Sequence, residues 1–284
     1  FFVIPNTGKQ ESRELTEKIV AWLSKYQYEV FVTEEIGQLY QLEQYARSKE
    51  EAYNRADCAI VLGGDGTILS TAREVGLFQC PLLGVNIGNL GFLAEVGAKD
   101  ILLTLADLVN GKFTIEDRMM LQTKIVENGQ TNNIGLALND IVATRASISR
   151  MVGYSVYVNN DLVNHYYADG IIVSTPTGST AYNLSAGGPI LAPSNEMIVI
   201  TPICPHSLTA RSIVISSNDQ VKISFEFNRA SWDKDLQVTI DGQQVVNINN
   251  ESEVIIEKSP ISTHLIKMGH DDFYSLLRKK LGNS

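Results

Sequence analysis

The chain has 284 residues, with 23 Lys+Arg against 32 Asp+Glu for a net charge of −9, and 44% of its residues are apolar. That is ordinary for a soluble globular protein of one large domain or two small ones. The acidic balance argues against non-specific binding to nucleic acid or an anionic membrane surface, and no apolar run approaches the roughly 20 residues of a membrane helix.

Residues 1–4 read as the end of a strand. Residues 11–25 carry Leu15, Ile19, Val20, Ala21, Trp22 and Leu23 at roughly helical spacing. A strand is predicted over 28–33 and a polar helix over 43–54. Residues 59–62 are wholly apolar, as in a parallel strand covered on both faces. Gly63 and Gly64 end that run, and 67–75 reads as a helix. Another apolar strand follows at 82–85 and another helix at 100–109. This alternation predicts an α/β N-terminal domain with a parallel sheet and helices on both sides.

The pattern changes after Gly111. Strand candidates follow at 121–126, 136–144, 151–158, 170–174, 197–201, 212–215, 220–227, 237–240 and 253–256, separated by turn signals such as Asn159-Asn160-Asp161 and Asp241-Gly242. The expected division is an α/β domain over 1–112 and a β-rich C-terminal domain over 113–261. The tail, 262–284, with a helix-like stretch at 273–281, is expected to pack back on the first domain.

The three cysteines, Cys58, Cys80 and Cys204, form no CxxC pair, and the four histidines show no ligand spacing. Neither a disulfide framework nor a zinc site is indicated, and no metal ligands are assigned. That cysteine usage makes a reducing cytoplasm the expected compartment, and no basic segment followed by an apolar block suggests a signal peptide.

The most informative turn is Gly63-Gly64-Asp65-Gly66-Thr67, where a buried strand gives way to a helix. Ligands of open parallel sheets bind at the carboxyl ends of strands. A helix N-terminus there favours phosphate, and glycines let the backbone approach it. Asp65 is the odd feature, because a carboxylate repels phosphate unless it binds a cation or takes a proton. Both roles belong to phosphoryl transfer. No GxxxxGK[ST] is present, and Leu69 stands where a GxGxxG motif needs its third glycine. The plainer alternative is that Asp65 caps the helix.

Residues 169–189 read DGIIVSTPTGSTAYNLSAGGP, with six Ser/Thr hydroxyls between Ser174 and Ser185 and no Lys or Arg. Small uncharged polar groups at this density suit hydrogen bonding to a sugar or a base, and Tyr182 offers a ring for stacking. A long loop of turn formers is the competing reading. Asn139-Asp140 ends a strand-like run, where an amide can read a base edge and a carboxylate can accept from ribose hydroxyls. Met119 and Met120 read as core, and Arg118 and Arg150, taken singly, as surface charges.

Together these residues resemble the NAD kinases along nearly the whole chain. The resemblance is carried by GGDGTIL (63–69), GVNIGNLGFLAE (84–95), EDRMML (116–121), LND (138–140), ADGIIVSTPTGSTAYNLSAGGPIL (168–191), TPICPHSLTAR (201–211) and DGQ (241–243). GGDG alone is shared with lipid and phosphofructo-kinases; its combination with the Ser/Thr-rich segment is far more specific. The resemblance implies a two-domain architecture with the site between the domains. It also implies transfer of a terminal phosphoryl group to the 2′-hydroxyl of the adenosine ribose of NAD, giving NADP. ATP is the implied donor, with polyphosphate as a further possibility, and Mg²⁺ or another divalent cation accompanies it.

By position, Asp65 matches the general base, and Gly66 lies beside it against the dinucleotide. Asn139 and Asp140 match the family's acidic motif, where Glu often stands in place of Asp140. Asp169, Thr177, Thr180, Ala181, Tyr182, Asn183, Leu184 and Ser185 match the dinucleotide-binding segment. Arg150, Cys204 through its backbone, and Gln243 match weaker contacts, and Phe92 an apolar residue near the adenine. Some relatives carry a basic residue two before Asp169; this chain has Tyr167, so backbone donors would carry more of the pyrophosphate. Self-association as a homodimer or homotetramer is implied as well.

A ribose hydroxyl is a poor nucleophile, so positioning and charge neutralisation should supply most of the acceleration. The N–H groups of residues 64–67 are expected to hold the donor phosphates while Asp65 takes the hydroxyl proton. Three alternatives compete. A lipid kinase should show a basic or apolar membrane-facing surface. A sugar-phosphate kinase should cluster cations for its substrate. A non-catalytic dinucleotide sensor would not need Asp65.

Overall fold

Strand Ala59–Gly63 is buried along its length, and so is its neighbour Leu82–Asn86. The first, and the second as far as Val85, are uninterrupted apolar or small-residue runs, as in strands covered on both faces. The computed structural model describes residues 1–88, 91–146, 152–226, 236–269 and 272–282. The chain divides into two units, Phe1–Asp117 with Ser262–Ser284, and Arg118–Ile261.

In the first unit, strand Phe2–Pro5 runs parallel to Ala59–Gly63, which runs parallel to Leu82–Asn86. Val96–Gly97 also pairs parallel with Leu82–Asn86, as does the end of the long strand Glu253–Lys267, through Leu265 and Leu82. Successive side chains point to opposite faces of a sheet. On one face, Val3, Ile60, Leu62, Leu83 and Val85 pack with Leu15, Ile19 and Leu23 of helix Gln10–Lys25 and with Leu105 and Leu108 of helix Ile101–Val109. On the other face, Phe2 meets Tyr53 of helix Lys49–Arg55 edge-on at 4.8 Å, and Tyr53 stacks on Phe78 of helix Asp65–Phe78 at 5.0 Å.

Two expectations in this half are corrected. The strand over 28–33 shrinks to Val32–Thr33, and Thr33 caps a helix Glu34–Tyr40 that the pattern did not show. The helix over 43–54 is broken into a 3₁₀ turn Glu43–Tyr45, a strand Ala46–Arg47 and helix Lys49–Arg55. Ser48 explains the break: its hydroxyl accepts from the Glu51 N–H at 3.2 Å and starts a new helix there.

The second unit is β-rich. One antiparallel sheet runs in the order Ile213–Ser216, Met197–Ile203, Gly170–Ser174, Asp140–Arg145, Leu236–Ile240, Gln244–Ile248. Strand Val152–Val158 pairs with Asp161–Ala168 and with Val221–Glu226, which continues to the first part of Glu253–Lys267. Tyr154, Val156, Ile223 and Ile256 from these strands share one apolar cluster with Ile171, Val173, Ile200, Val238 and Ile240 from the first sheet, as in two sheets packed face to face. Left-handed pairs turn the hairpins: Asn128-Gly129, Asn159-Asn160 and Asp241-Gly242 all have positive φ. Strands Asp161–Ala168 and Gln244–Ile248 escaped the sequence reading because they are half exposed and polar. The strand expected over 136–144 is split into Gln130–Ala137 and Asp140–Arg145, for a reason that lies in the site.

Among the described residues, no helix is long and apolar enough to cross a membrane.

Candidate active site

Gly64 is the N-cap of helix Asp65–Phe78, and a Cβ on Gly63 would lie 2.4 Å from Thr67 Oγ1. The capping role open to Asp65 does not occur. Asp65 is already the first helical residue, and no side chain caps this terminus. Its carboxylate instead reaches the loop after strand Leu82–Asn86. Oδ2 accepts from the Phe92 N–H at 2.8 Å and Oδ1 from the Leu93 N–H at 3.2 Å. Gly91 permits this approach, since a Cβ there would sit 1.8 Å from Asp65 Oδ1. One such bond per oxygen leaves each with acceptor capacity for a further donor. Phe92 also carries the ammonium of Lys280 over its ring, 6.0 Å from the centroid.

Beside this helix start lies a cleft of about 550 Å³, lined by Asn6, Lys9, Gly64, Gly66, Thr67 and Ser70 among others. The Asn6 N–H donates to the Leu62 carbonyl at 2.8 Å, and Asn6 Nδ2 donates to Thr67 Oγ1 at 2.9 Å. These bonds join the end of the first strand to the glycine turn. Of the N–H groups over 64–67 expected to meet phosphate, that of Thr67 is engaged by the Gly64 carbonyl at 3.0 Å.

In the second unit, Asp241 organises the backbone around Asn139 and Asp140. Its carboxylate accepts from the N–H groups of Leu138 at 3.1 Å, Asn139 at 2.7 Å and Asp140 at 3.2 Å. A strand ladder cannot use those N–H groups at the same time, which is why the strand breaks at Leu138-Asn139. The Ser/Thr-rich segment closes on the same backbone. Thr175 Oγ1 donates to the Leu138 carbonyl at 2.6 Å, and the Thr175 N–H to the Asn139 carbonyl at 2.9 Å. A Cβ on Gly178 would fall 2.1 Å from the Asn139 carbonyl oxygen, so only glycine fits. Asp140 is 5% exposed, and among the described residues nothing donates to its carboxylate. Burial, then the charge of Asp241, pushes its carboxyl up to about 7.

Asp169 pairs with Arg145 at 2.6 Å and receives the Tyr154 hydroxyl on its carbonyl at 3.3 Å. Tyr182 is 45% exposed. Its phenol is raised by burial and then by the charges of Cys204, Asp140 and Asp169, which puts these four residues in one neighbourhood. Thr177 is buried and accepts from Arg118 Nη1 at 3.2 Å. Thr180, Ala181 and Leu184 are partly buried, while Ser185, Cys204 and Gln243 are exposed. Asn183 is wholly buried: its amide donates to the Ser179 and Pro189 carbonyls and accepts from Thr201 Oγ1. Its side chain therefore braces the turn: both amide donors are committed, and the oxygen keeps one lone pair for a further donor. Arg150 lies outside the described residues.

Arg118 is corrected from a surface charge to a buried one, 5% exposed, inside the Ser/Thr-rich turn. Lys9, Asn6, Arg145 and Asp241 were also missed as site residues. Asn6-Thr7-Gly8-Lys9 joins a strand to a helix, the same junction that singled out Gly63-Thr67, and could have been read in the same way. Among the described residues, no three His, Cys, Asp or Glu converge as a metal site.

The ATP-NAD kinase N-terminal domain model matches residues 1–113, and the ATP-NAD kinase C-terminal domain model matches 138–268. An NAD kinase of Caldanaerobacter subterraneus subsp. tengcongensis is 44% identical over 279 residues, covering 98% of this chain and 97% of that protein. Two solved structures share the fold at 24% identity. Yeast NADH kinase complexed with NADH has a TM-score of 0.87 over 100% of this chain and 87% of that one. An NAD kinase from Archaeoglobus fulgidus in complex with ATP has a TM-score of 0.75 over 99% and 97%. The class is thus that of the phosphotransferases, with an α/β unit bearing a glycine turn and a β-rich unit bearing the Ser/Thr-rich turn. The chain belongs to the NAD kinase family.

Proposed function

We propose that this chain carries out the family's reaction with Asp65 as the general base and the second unit's Ser/Thr-rich turn as the dinucleotide seat. The 2′-oxygen of the adenosine ribose of NAD bonds to the terminal phosphorus of ATP, the bond from that phosphorus to the ADP oxygen breaks, and the hydroxyl proton passes to the Asp65 carboxylate. The observation that carries this reading is the Asp65 carboxylate, turned from the helix it begins and fixed by the Phe92 and Leu93 N–H groups. Fixed amides orient the base before substrate arrives, so no reorganisation is needed during transfer.

Residues 1–112 with 262–284 hold the donor, and residues 113–261 the dinucleotide. Asn139, Asp140, Asp169, Thr177 and Tyr182, with the turn over 180–185, meet NAD. Asp140, buried and without a donor among the described residues, is suited to accept from ribose hydroxyls. Mg²⁺ or another divalent cation enters with the donor and offsets part of its charge. The working form is a cytoplasmic homodimer or homotetramer. The outer strands Ile213–Ser216 and Gln244–Ile248 support self-association by leaving Val214 and Val245 exposed at the edges of their sheet.

The test is NADP formation from ATP and NAD by the wild type and by Asp65→Asn. Loss of a general base lowers kcat by about 10²–10⁴-fold, and NAD binding measured by calorimetry should persist. Wild-type turnover in Asp65→Asn overturns the base assignment, and no NADP from the wild type overturns the reading.

A further inference from the structure

The cleft in the first unit contains a cation that nothing in the glycine-turn motif accounts for. Lys9 lines it together with Asn6, Gly64, Gly66, Thr67 and Ser70. In a chain of net charge −9, the Lys9 ammonium has no carboxylate partner among the described residues; its one bond is to the Ile87 carbonyl. An ammonium has three donors, so two remain for another acceptor. The backbone around it is built to hold it there. The Lys9 N–H donates to the Asn6 carbonyl at 3.2 Å, and the Gly8 N–H to Asn6 Oδ1 at 3.0 Å, so Asn6 shapes the turn that delivers Lys9. Gly88 makes room on the far side: its φ is +125°, and a Cβ there would lie 3.0 Å from Lys9 Nζ.

We infer that Lys9 binds the phosphate chain of the phosphoryl donor in this cleft, with the Ile87 carbonyl fixing the ammonium and its two other N–H groups given to phosphate oxygens. The inference rests on the kinase reading and names a residue for its donor. A point charge of this kind is the usual complement to backbone donors at a phosphate. On the same cleft wall the Thr67 hydroxyl accepts from Asn6 Nδ2 and keeps its own proton for a further acceptor, whereas the Ser70 hydroxyl donates to the Thr67 carbonyl at 2.9 Å. Asp65 is fixed by the Phe92 and Leu93 amides and Lys9 by the Ile87 carbonyl, and among the described residues no ion pair joins the two.

The experiment compares the wild type with Lys9→Met and Lys9→Arg by steady-state kinetics, by thermal unfolding, and by calorimetric titration with inorganic tripolyphosphate. A charge-assisted hydrogen bond lost to a bound phosphate should raise the KM for ATP about tenfold or more in Lys9→Met. The KM for NAD and the Tm should stay at the wild-type values, tripolyphosphate binding should be lost, and Lys9→Arg should recover most of the ATP affinity. An unchanged KM for ATP overturns the inference. So does an equal rise in both KM values with a lowered Tm, which would make Lys9 only a tie to Ile87. Tripolyphosphate binding is read without turnover, so Lys9-dependent binding in a protein that makes no NADP would uphold the inference while the kinase reading falls.

Discussion

Asp140 should make the protein less stable as pH rises through neutrality. Its carboxyl is pushed up to about 7 by burial and by Asp241, whereas an unfolded chain releases that proton near 4. Between those values the folded state holds a proton that the unfolded state has lost. The stability this provides is full below the interval and lost as pH rises through it. A shift of about three pH units is worth about 4 kcal/mol over the whole interval, of which about 2–3 kcal/mol falls between pH 5 and pH 8. That is a large share of a typical stability of roughly 5–15 kcal/mol. Urea unfolding of the wild type and Asp140→Asn at pH 5 and pH 8 checks it. The Asn variant keeps the shape and removes the charge, so it should gain on the wild type by that amount at the higher pH. NAD should shift the balance the other way, because hydroxyls donating to the carboxylate favour its charged form, and wild-type affinity for NAD should rise between pH 6 and 8. Parallel pH profiles for the two proteins would refute the reasoning.

Two further outcomes follow from the same geometry. Gly91→Ala places a Cβ where Asp65 Oδ1 now lies, so it should displace the base and lower kcat by about 10²-fold, the scale of a 1 Å misplacement; a kcat within twofold of wild type would show that the Phe92 and Leu93 amides do not orient the base. Tyr182→Ala removes an exposed ring in the Ser/Thr-rich turn and should raise the KM for NAD about tenfold, on the scale of base–aromatic stacking, with the KM for ATP unchanged; equal changes in both would assign Tyr182 a folding role.

The first unit was legible because its signals are local. Apolar runs such as Ile60-Val61-Leu62 can be strands only if both faces are covered, and helices supply the cover. The breaks were less legible because single side chains make them: Ser48 starts a helix inside a pattern that looked continuous. In the second unit the hairpin turns were readable from Asn-Asn and Asp-Gly, but the polar outer strands they lead into were not. Within the site, Asp65 stood out because a carboxylate at a phosphate seat demands a chemical reason. Asp241 did not, because its work is done on backbone N–H groups about a hundred residues away in sequence, and no local pattern encodes that distance. Arg118 was misread for the same reason, its partner Thr177 being 59 residues distant.

The cations near the two candidate subsites are set up differently, and the difference bears on how each subsite meets its ligand. Arg145 is paired with Asp169 at 2.6 Å, and Arg118 is buried against Thr177. Both are tied to side chains of the Ser/Thr-rich segment, so on the proposed assignment the uncharged hydroxyls and the Asp140 carboxylate, which has no donor among the described residues, are left to read a sugar. Preorganisation of this kind favours specificity, because a ligand that fails to fill the hydrogen bonds leaves a buried carboxylate without a donor. Lys9, by contrast, spends one donor on a carbonyl and, among the described residues, none on a carboxylate. A cation kept out of salt bridges in an acidic protein is suited to a highly charged ligand that arrives with a divalent ion and must leave again as ADP. Strong pairing would fix the lysine and lower its value to the phosphate, whereas a single carbonyl bond positions it while its charge stays available. On the proposed reading the donor side is built for charge and the acceptor side for shape, and this division follows from how Lys9, Arg118 and Arg145 are engaged.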